Sequence, residues 1–207
     1  MPKALNIWCV DINETQEEVE HRIKISDIIF LCVPLEKTVS WLIEHKSLIK
    51  NKPVIEQCSL KEGLFENEAL KDLDIRSMHI LFRPSQTPNE EDRRVGLFKG
   101  HFNEALAKDI VGITQSSIVW FEDAREHDQE MAVQQALLHR SLLILGRILR
   151  NCKGSTYISQ KVIELENRIR KGNKNLYERI QGNKYLPEVL EKIKKDFEEF
   201  DINDFWK

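Results

Sequence analysis

The sequence predicts an α/β fold: a largely parallel sheet domain over residues 1–121, followed by an all-helical domain over residues 122–207. Three observations carry this. Short β-branched apolar runs alternate with amphipathic stretches through the first half, as in βαβ units. The strand signals stop after Phe121. From about Glu122 onwards the apolar spacing is that of helices alone.

Taken in order, Leu5 to Val10 reads as a strand ending at Asp11, and Thr15 to Ile25 as a helix with Val19 and Ile23 at helical spacing. Asp27 to Val33 is nearly unbroken apolar chain, the pattern of a strand covered on both faces, and Pro34 ends it. Thr38 to Leu48 is predicted helical and Pro53 to Gln57 a strand. Ser59-Leu-Lys-Glu62 matches a capping box that opens the next helix. Ile75 to Met78 is a strand running into His79, Pro84 to Arg94 a polar loop, and Val95 to Phe98 and Ser117 to Phe121 strands around a helix over Asn103 to Val111. In the second half, Leu137 to Leu149 is apolar nearly all round, as expected of a helix in a large core or a subunit interface. Helices follow over Val162 to Arg170, Leu176 to Ile180 and Leu186 to Phe200, the last with Pro187 in its first turn.

Composition excludes several classes. A formal net charge of −3 lacks the cationic excess of a nucleic-acid binder. No apolar run approaches the ~20 residues of a membrane helix, and Met1-Pro-Lys-Ala does not resemble a signal peptide, so a cytoplasmic protein without membrane partners is expected. Cys9, Cys32, Cys58 and Cys152 lack C-x-x-C spacing and are expected to be reduced, buried thiols. His127 and His139 lack the i,i+4 spacing of a helical zinc pair, so no metal is expected. The 8 glycines form neither G-x-G-x-x-G nor a phosphate-binding Walker loop.

Several side chains suit chemistry on local grounds. His79 follows a strand, at the edge where open α/β sheets bind ligands, and imidazole suits proton transfer near neutral pH. Ser59 and Lys61 lie at a strand-to-helix turn, where either a capping box or an anion site fits the pattern. His127, Met131, Gln134 and Leu138 fall on one face of the long helix, so polar groups interrupt its apolar stripe. Arg168 stands among Arg170, Lys171 and Lys174, where a guanidinium could clamp a carboxylate or simply complement a helix end.

Four segments occur in the order seen in one family: Asp27-Ile-Ile-Phe-Leu-Cys-Val-Pro34, Ser59-Leu-Lys61, Met78-His-Ile-Leu-Phe-Arg-Pro84, and Glu126-His-Asp-Gln-Glu-Met-Ala132 with Gln135-Ala-Leu-Leu-His139. Together they resemble the prephenate dehydrogenases of tyrosine biosynthesis, the enterobacterial type above all, from Leu5 to the end of the chain. The resemblance implies a Rossmann-like domain followed by a helical domain that builds a homodimer. It implies oxidative decarboxylation of prephenate to 4-hydroxyphenylpyruvate, with hydride passing to NAD or NADP. Arogenate is an alternative substrate. His79 matches the family's catalytic histidine and Ser59 a serine near the same substrate hydroxyl. Arg168 and Lys61 match substrate-binding positions, with His127 and Gln134 lining the cleft. Asp11 matches the acid that holds the adenosine ribose, and Val33 and Pro34 the loop beside the cofactor.

Two departures stand out. Ile80 follows His79 where the family usually has proline. In the family, a first strand, a Gly-rich turn and a helix precede the strand matching Leu5 to Val10, and this sequence begins after them, which leaves the Rossmann-like sheet incomplete. A shortened reading frame is one expectation from this; a relative that binds a prephenate-like ligand or a partner without a dinucleotide is another. A β-hydroxyacid dehydrogenase would use a lysine on the long helix, whose start offers His127 instead.

Overall fold

A computed structural model describes residues 7–11, 13–81, 93–154, 156–172 and 174–199. The chain divides into two compact units, Met1–Glu122 and Asp123–Lys207.

The first unit is a five-stranded sheet of β1 (Ile29–Leu31), β2 (Val54–Glu56), β3 (Ile75–Ile80), β4 (Arg94–Phe98) and β5 (Ser117–Phe121), in that spatial order. β1, β2 and β3 are parallel, β4 runs antiparallel to β3, and β5 is parallel to β4. Strand alternation puts Leu31, Glu56, Ser77 and His79 on one face and Ile55 and Met78 on the other. Helices close both faces. α1 (Gln16–Ile25), α2 (Leu35–Glu44) and α3 (Lys46–Ile49) bury Ile23, Leu42 and Ile49 with Leu31 and Val54. On the opposite face α5 (Glu104–Thr114) buries Ala107 and Ile110 against Ile55, Met78, Val95 and Leu97.

Local chemistry sets the element ends. Thr15 caps α1 by accepting from the Glu18 amide, and Asn103 caps α5 by accepting from Leu106. α2 starts directly after Pro34 rather than at Thr38 and stops at Glu44, because His45 Nδ1 donates to the Trp41 carbonyl at 2.9 Å and its ring stacks on Trp41. The helix expected to open at Ser59 begins only at Glu62. α4 is a short helix over Glu62–Phe65, and the Leu64 and Phe65 amides donate to the Lys61 carbonyl, so Lys61 stands at the cap.

The strand expected over Leu5 to Val10 is absent from its described residues. Residues 7–10 are irregular, with Ile7 and Trp8 exposed and the Arg22 guanidinium 4.3 Å over the Trp8 ring. β1 ends the sheet on that side, so no neighbouring strand among the described residues offers these residues backbone partners. Most of the polar loop expected between β3 and β4, and the Arg83-Pro84 end of its motif, lie outside the described residues. The thiols also differ from expectation. Cys58 alone is buried, while Cys9, Cys32 and Cys152 are exposed, because these runs are only partly covered.

The second unit is helical: α6 (Ala124–Met131), a π-helical segment over Ala132–Leu137, α7 (Leu138–Leu149), α8 (Tyr157–Arg170), α9 (Lys174–Gln181) and α10 (Leu186–Glu199). Asp123 caps α6, and Thr156 and Ser159 form a reciprocal capping box on α8. α7 packs along α8, and at Gly146 the approach is close; a Cβ there would lie 2.6 Å from Glu166 Cγ. Leu138, Ile144, Leu145 and Ile148 of α7 remain exposed, so this helix is not a core helix of the single chain. None of the described helices is long and apolar enough to cross a membrane.

Candidate active site

In the sheet unit, the carboxyl ends of β1, β2 and β3 bring Val33, Pro34, Ser59, Lys61 and His79 to one edge. This is the edge where open parallel sheets place ligand sites. His79 is 6% exposed and pairs across the ladder with Gly96. A Cβ at Gly96 would lie 2.6 Å from the Phe121 ring and 3.7 Å from His79 Cβ, so the missing side chain lets Phe121 pack beside the histidine. Ile80 lengthens the ladder. It pairs with Val95, and the Leu81 amide donates to the Arg94 carbonyl at 3.0 Å. Ser59 is half-buried in the turn after β2.

Behind His79 lies a polar network that local pattern does not reveal. Glu56 and Lys61 are both 0% exposed, with Lys61 Nζ 2.9 Å from Glu56 Oε1 and 2.8 Å from the Met78 carbonyl. The Ser77 hydroxyl also donates to Glu56 Oε1, and the Cys58 amide donates to Oε2 at 2.7 Å. The Ser77 amide in turn donates to His101 Nδ1 at 3.2 Å. Burial, with the Glu56 charge beside it, pushes the Cys58 thiol up to about 11, so Cys58 stays protonated and unreactive at neutral pH. Burial pushes His101 below its ordinary value, which keeps Nδ1 free of a second proton and able to accept. Lys61, expected at a substrate-binding position, is buried here: a buried ammonium needs charged and carbonyl partners, and Glu56 and Met78 supply them. The one local sign of this network was a glutamate inside an otherwise apolar strand.

The cofactor positions are less complete. Val33 is half-buried against the β1 core, and the Pro34 carbonyl accepts from the Lys37 and Thr38 amides at the start of α2. Asp11 is exposed in the irregular segment before α1. The first glycine of the sequence is Gly63, so these residues include no glycine turn on which a pyrophosphate could rest. Val33 and Pro34 stand at the strand edge, where open parallel sheets place ligands.

In the helical unit, His127 is fully buried with Nδ1 2.8 Å from Asp128 Oδ1, and Asn183 Nδ2 donates to the Asp128 carbonyl. Gln134 does not share its face. The π segment adds residues to the turn, so the buried positions after Met131 are Ala132 and Ala136, while Gln134 is exposed and donates to Glu130 at 3.0 Å. Gln181 Nε2 donates to the Ala136 carbonyl inside that segment. Arg168 lies on the exposed side of α8, paired with Glu164 at 2.5 Å. The arginines that meet a buried carboxylate are instead Arg150 and Arg170, both on Glu166. Among the described residues no cluster of His, Cys, Asp or Glu is arranged to hold a metal.

No family model and no curated protein matches this sequence. Solved structures do. A candidate prephenate dehydrogenase from Corynebacterium glutamicum is 16% identical with a TM-score of 0.67, covering 88% of this chain and 64% of its own. A prephenate dehydrogenase from A. aeolicus, in complex with hydroxyphenyl propionate and NAD+, is 16% identical with a TM-score of 0.62, covering 88% of this chain and 70% of its own. An arogenate dehydrogenase from Synechocystis is 17% identical with a TM-score of 0.59, covering 87% and 72%. The chain thus spans 64% of the length of the first of these proteins. These likenesses establish the fold, a Rossmann-like α/β sheet unit followed by helices.

Proposed function

We propose that the chain acts in the oxidation of prephenate or arogenate, with His79 as the group that takes the substrate hydroxyl proton. The observation that carries this is the position of His79: a histidine, buried but for 6%, at the carboxyl edge of β3 in a fold shared with enzymes named for these two substrates. The prephenate resemblance of the motif around it supports the same role. When bound, NAD or NADP would accept hydride from the carbon that carries the hydroxyl. His79 would bond that hydroxyl and accept its proton as the carbon is oxidised, while half-buried Ser59 would donate to the same oxygen and fix its direction. Prephenate is a dianion, so a guanidinium such as that of Arg168 suits its carboxylate, once freed from exposed Glu164.

A second reading takes the chain as one that binds the carboxylated substrate without a dinucleotide. Such a chain would need only the strand-edge half of the site. Prephenate-dependent reduction of NAD or NADP by the 207-residue chain, measured beside calorimetric titration with prephenate, separates the two. Turnover supports the first reading. Micromolar prephenate binding without turnover supports the second, and neither turnover nor binding contradicts both.

The exposed apolar residues of α7 and α8, among them Ile144, Ile148, Ile158 and Leu165, support a homodimer built by the helical unit of a cytoplasmic enzyme. Ile148→Glu is expected to shift light scattering towards the monomer mass; an unchanged wild-type mass at monomer would contradict it.

A further inference from the structure

The proposed chemistry uses neither the Lys61 ammonium nor the Glu56 carboxylate, although both are completely buried. A sealed ion pair is a poor source of stability, since apolar side chains of the same size serve as well or better. Its geometry suggests another use. The β2–β3 ladder ends at Glu56 opposite Ser77, so the Met78 carbonyl, next along β3, has no strand amide from β2 to meet. Lys61 Nζ takes that place at 2.8 Å. The Met78 carbonyl and the His79 amide belong to one rigid peptide plane, so holding the carbonyl sets the direction in which His79 leaves the backbone.

The residue before is held just as tightly. The Ser77 hydroxyl donates to Glu56 and its amide to His101 Nδ1. Glu56 itself is aimed by the Cys58 amide and by Lys61.

Resting on the reading of His79 as the proton acceptor, we infer that Glu56 and Lys61 form a positioning pair, which fixes the Met78–His79 peptide and through it the imidazole. The pair touches no reacting atom.

The test is the double variant Glu56→Gln/Lys61→Met in the full chain, which removes both charges while keeping the space filled. Imidazole resonances followed across pH by NMR, without substrate, read His79 directly, with His127 and His139 of the helical unit as internal references. The expected result is a folded protein in which the His79 signals and titration midpoint move while the references stay. Turnover should fall by about 100-fold with little change in the KM for prephenate, the scale set by a misplaced catalytic group. A folded double variant with wild-type His79 titration and turnover overturns the inference. Should the double variant not fold, Ser77→Ala removes one bond from the same network; it should move the His79 signals, and unchanged signals overturn the inference equally. If the His79 signals move but His79→Asn leaves turnover intact, the positioning pair stands and the catalytic reading of His79 falls.

Discussion

Glu56 of the sheet unit and Glu166 of the helical unit are both 0% exposed, yet their charges are met differently. The cation on Glu56 is Lys61, itself 0% exposed, and the pair is closed by a serine hydroxyl and two backbone groups. Glu166 is met by Arg150 and Arg170, whose side chains are 39% and 53% exposed. The arginines keep much of their hydration and lock α7 to α8 from outside, with Asn167 also accepting from Arg150. Lys61 gives up its hydration entirely. A helix pair can be stapled at its rim, whereas orienting one peptide beside His79 calls for a donor inside the sheet edge.

The largest expected effect sharpens that contrast. Lys61→Met alone leaves Glu56 charged and sealed, and urea unfolding should show a loss of about 3–5 kcal/mol. The double variant with Glu56→Gln should recover most of it, because no orphaned charge remains. Glu166→Gln leaves hydrated arginines behind and should cost about 1–3 kcal/mol in the same measurement. A loss as large as that of Lys61→Met would break the distinction between the two carboxylates.

The two close-approach glycines come next. Ala at Gly146 would press on Glu166 and Ala at Gly96 on the Phe121 ring, each with a Cβ 2.6 Å from its neighbour, and each should lose about 1–3 kcal/mol in thermal or urea unfolding. They should differ in turnover. Gly96→Ala disturbs the cross-strand partner of His79 and lowers it, whereas Gly146→Ala acts through the helix pair alone.

A smaller effect is set by pH. Burial holds His101 below its ordinary value of about 6.5, so the unfolded chain binds a proton that the folded chain resists. Stability should therefore fall as pH drops below about 6.5 and level off below the lowered folded value. Unfolding curves of His101→Gln should lose that part of the slope. Smallest of all, Arg168→Ala should change stability by less than about 1 kcal/mol, because its partner Glu164 is exposed and spaced i,i+4.

Part of the sheet unit was legible from its short apolar stretches: the Asp27 to Val33 run contains β1, although only Ile29–Leu31 form the strand and Phe30 is exposed rather than covered, and Ile75 to Met78 lies within β3, which continues through His79 to Ile80. What escaped depended on contacts distant in sequence. Ser59 and Glu62 matched a capping box, but the ammonium of Lys61 is drawn to Glu56 and Met78, and the helix begins only after it. Gln134 was placed with His127 by a strict 3.6-residue period, which the π segment breaks with Gln181 bonded into it. Ile7, Trp8 and Val10 have strand-like composition, but composition alone gives no backbone partner. Arg168 could not be told from Arg170 by spacing, and the structure distinguishes them by the partners they take, Glu164 and Glu166.

The proposed role of the imidazole at the carboxyl edge of β3 is to take the substrate proton. It is tested most directly by prephenate-dependent reduction of NAD or NADP in the full chain and in His79→Asn, with circular dichroism to confirm that the variant folds. Turnover is expected in the wild-type chain, with a loss of about 10²–10⁴-fold in the variant with its fold intact. Wild-type turnover in a folded His79→Asn protein would contradict it.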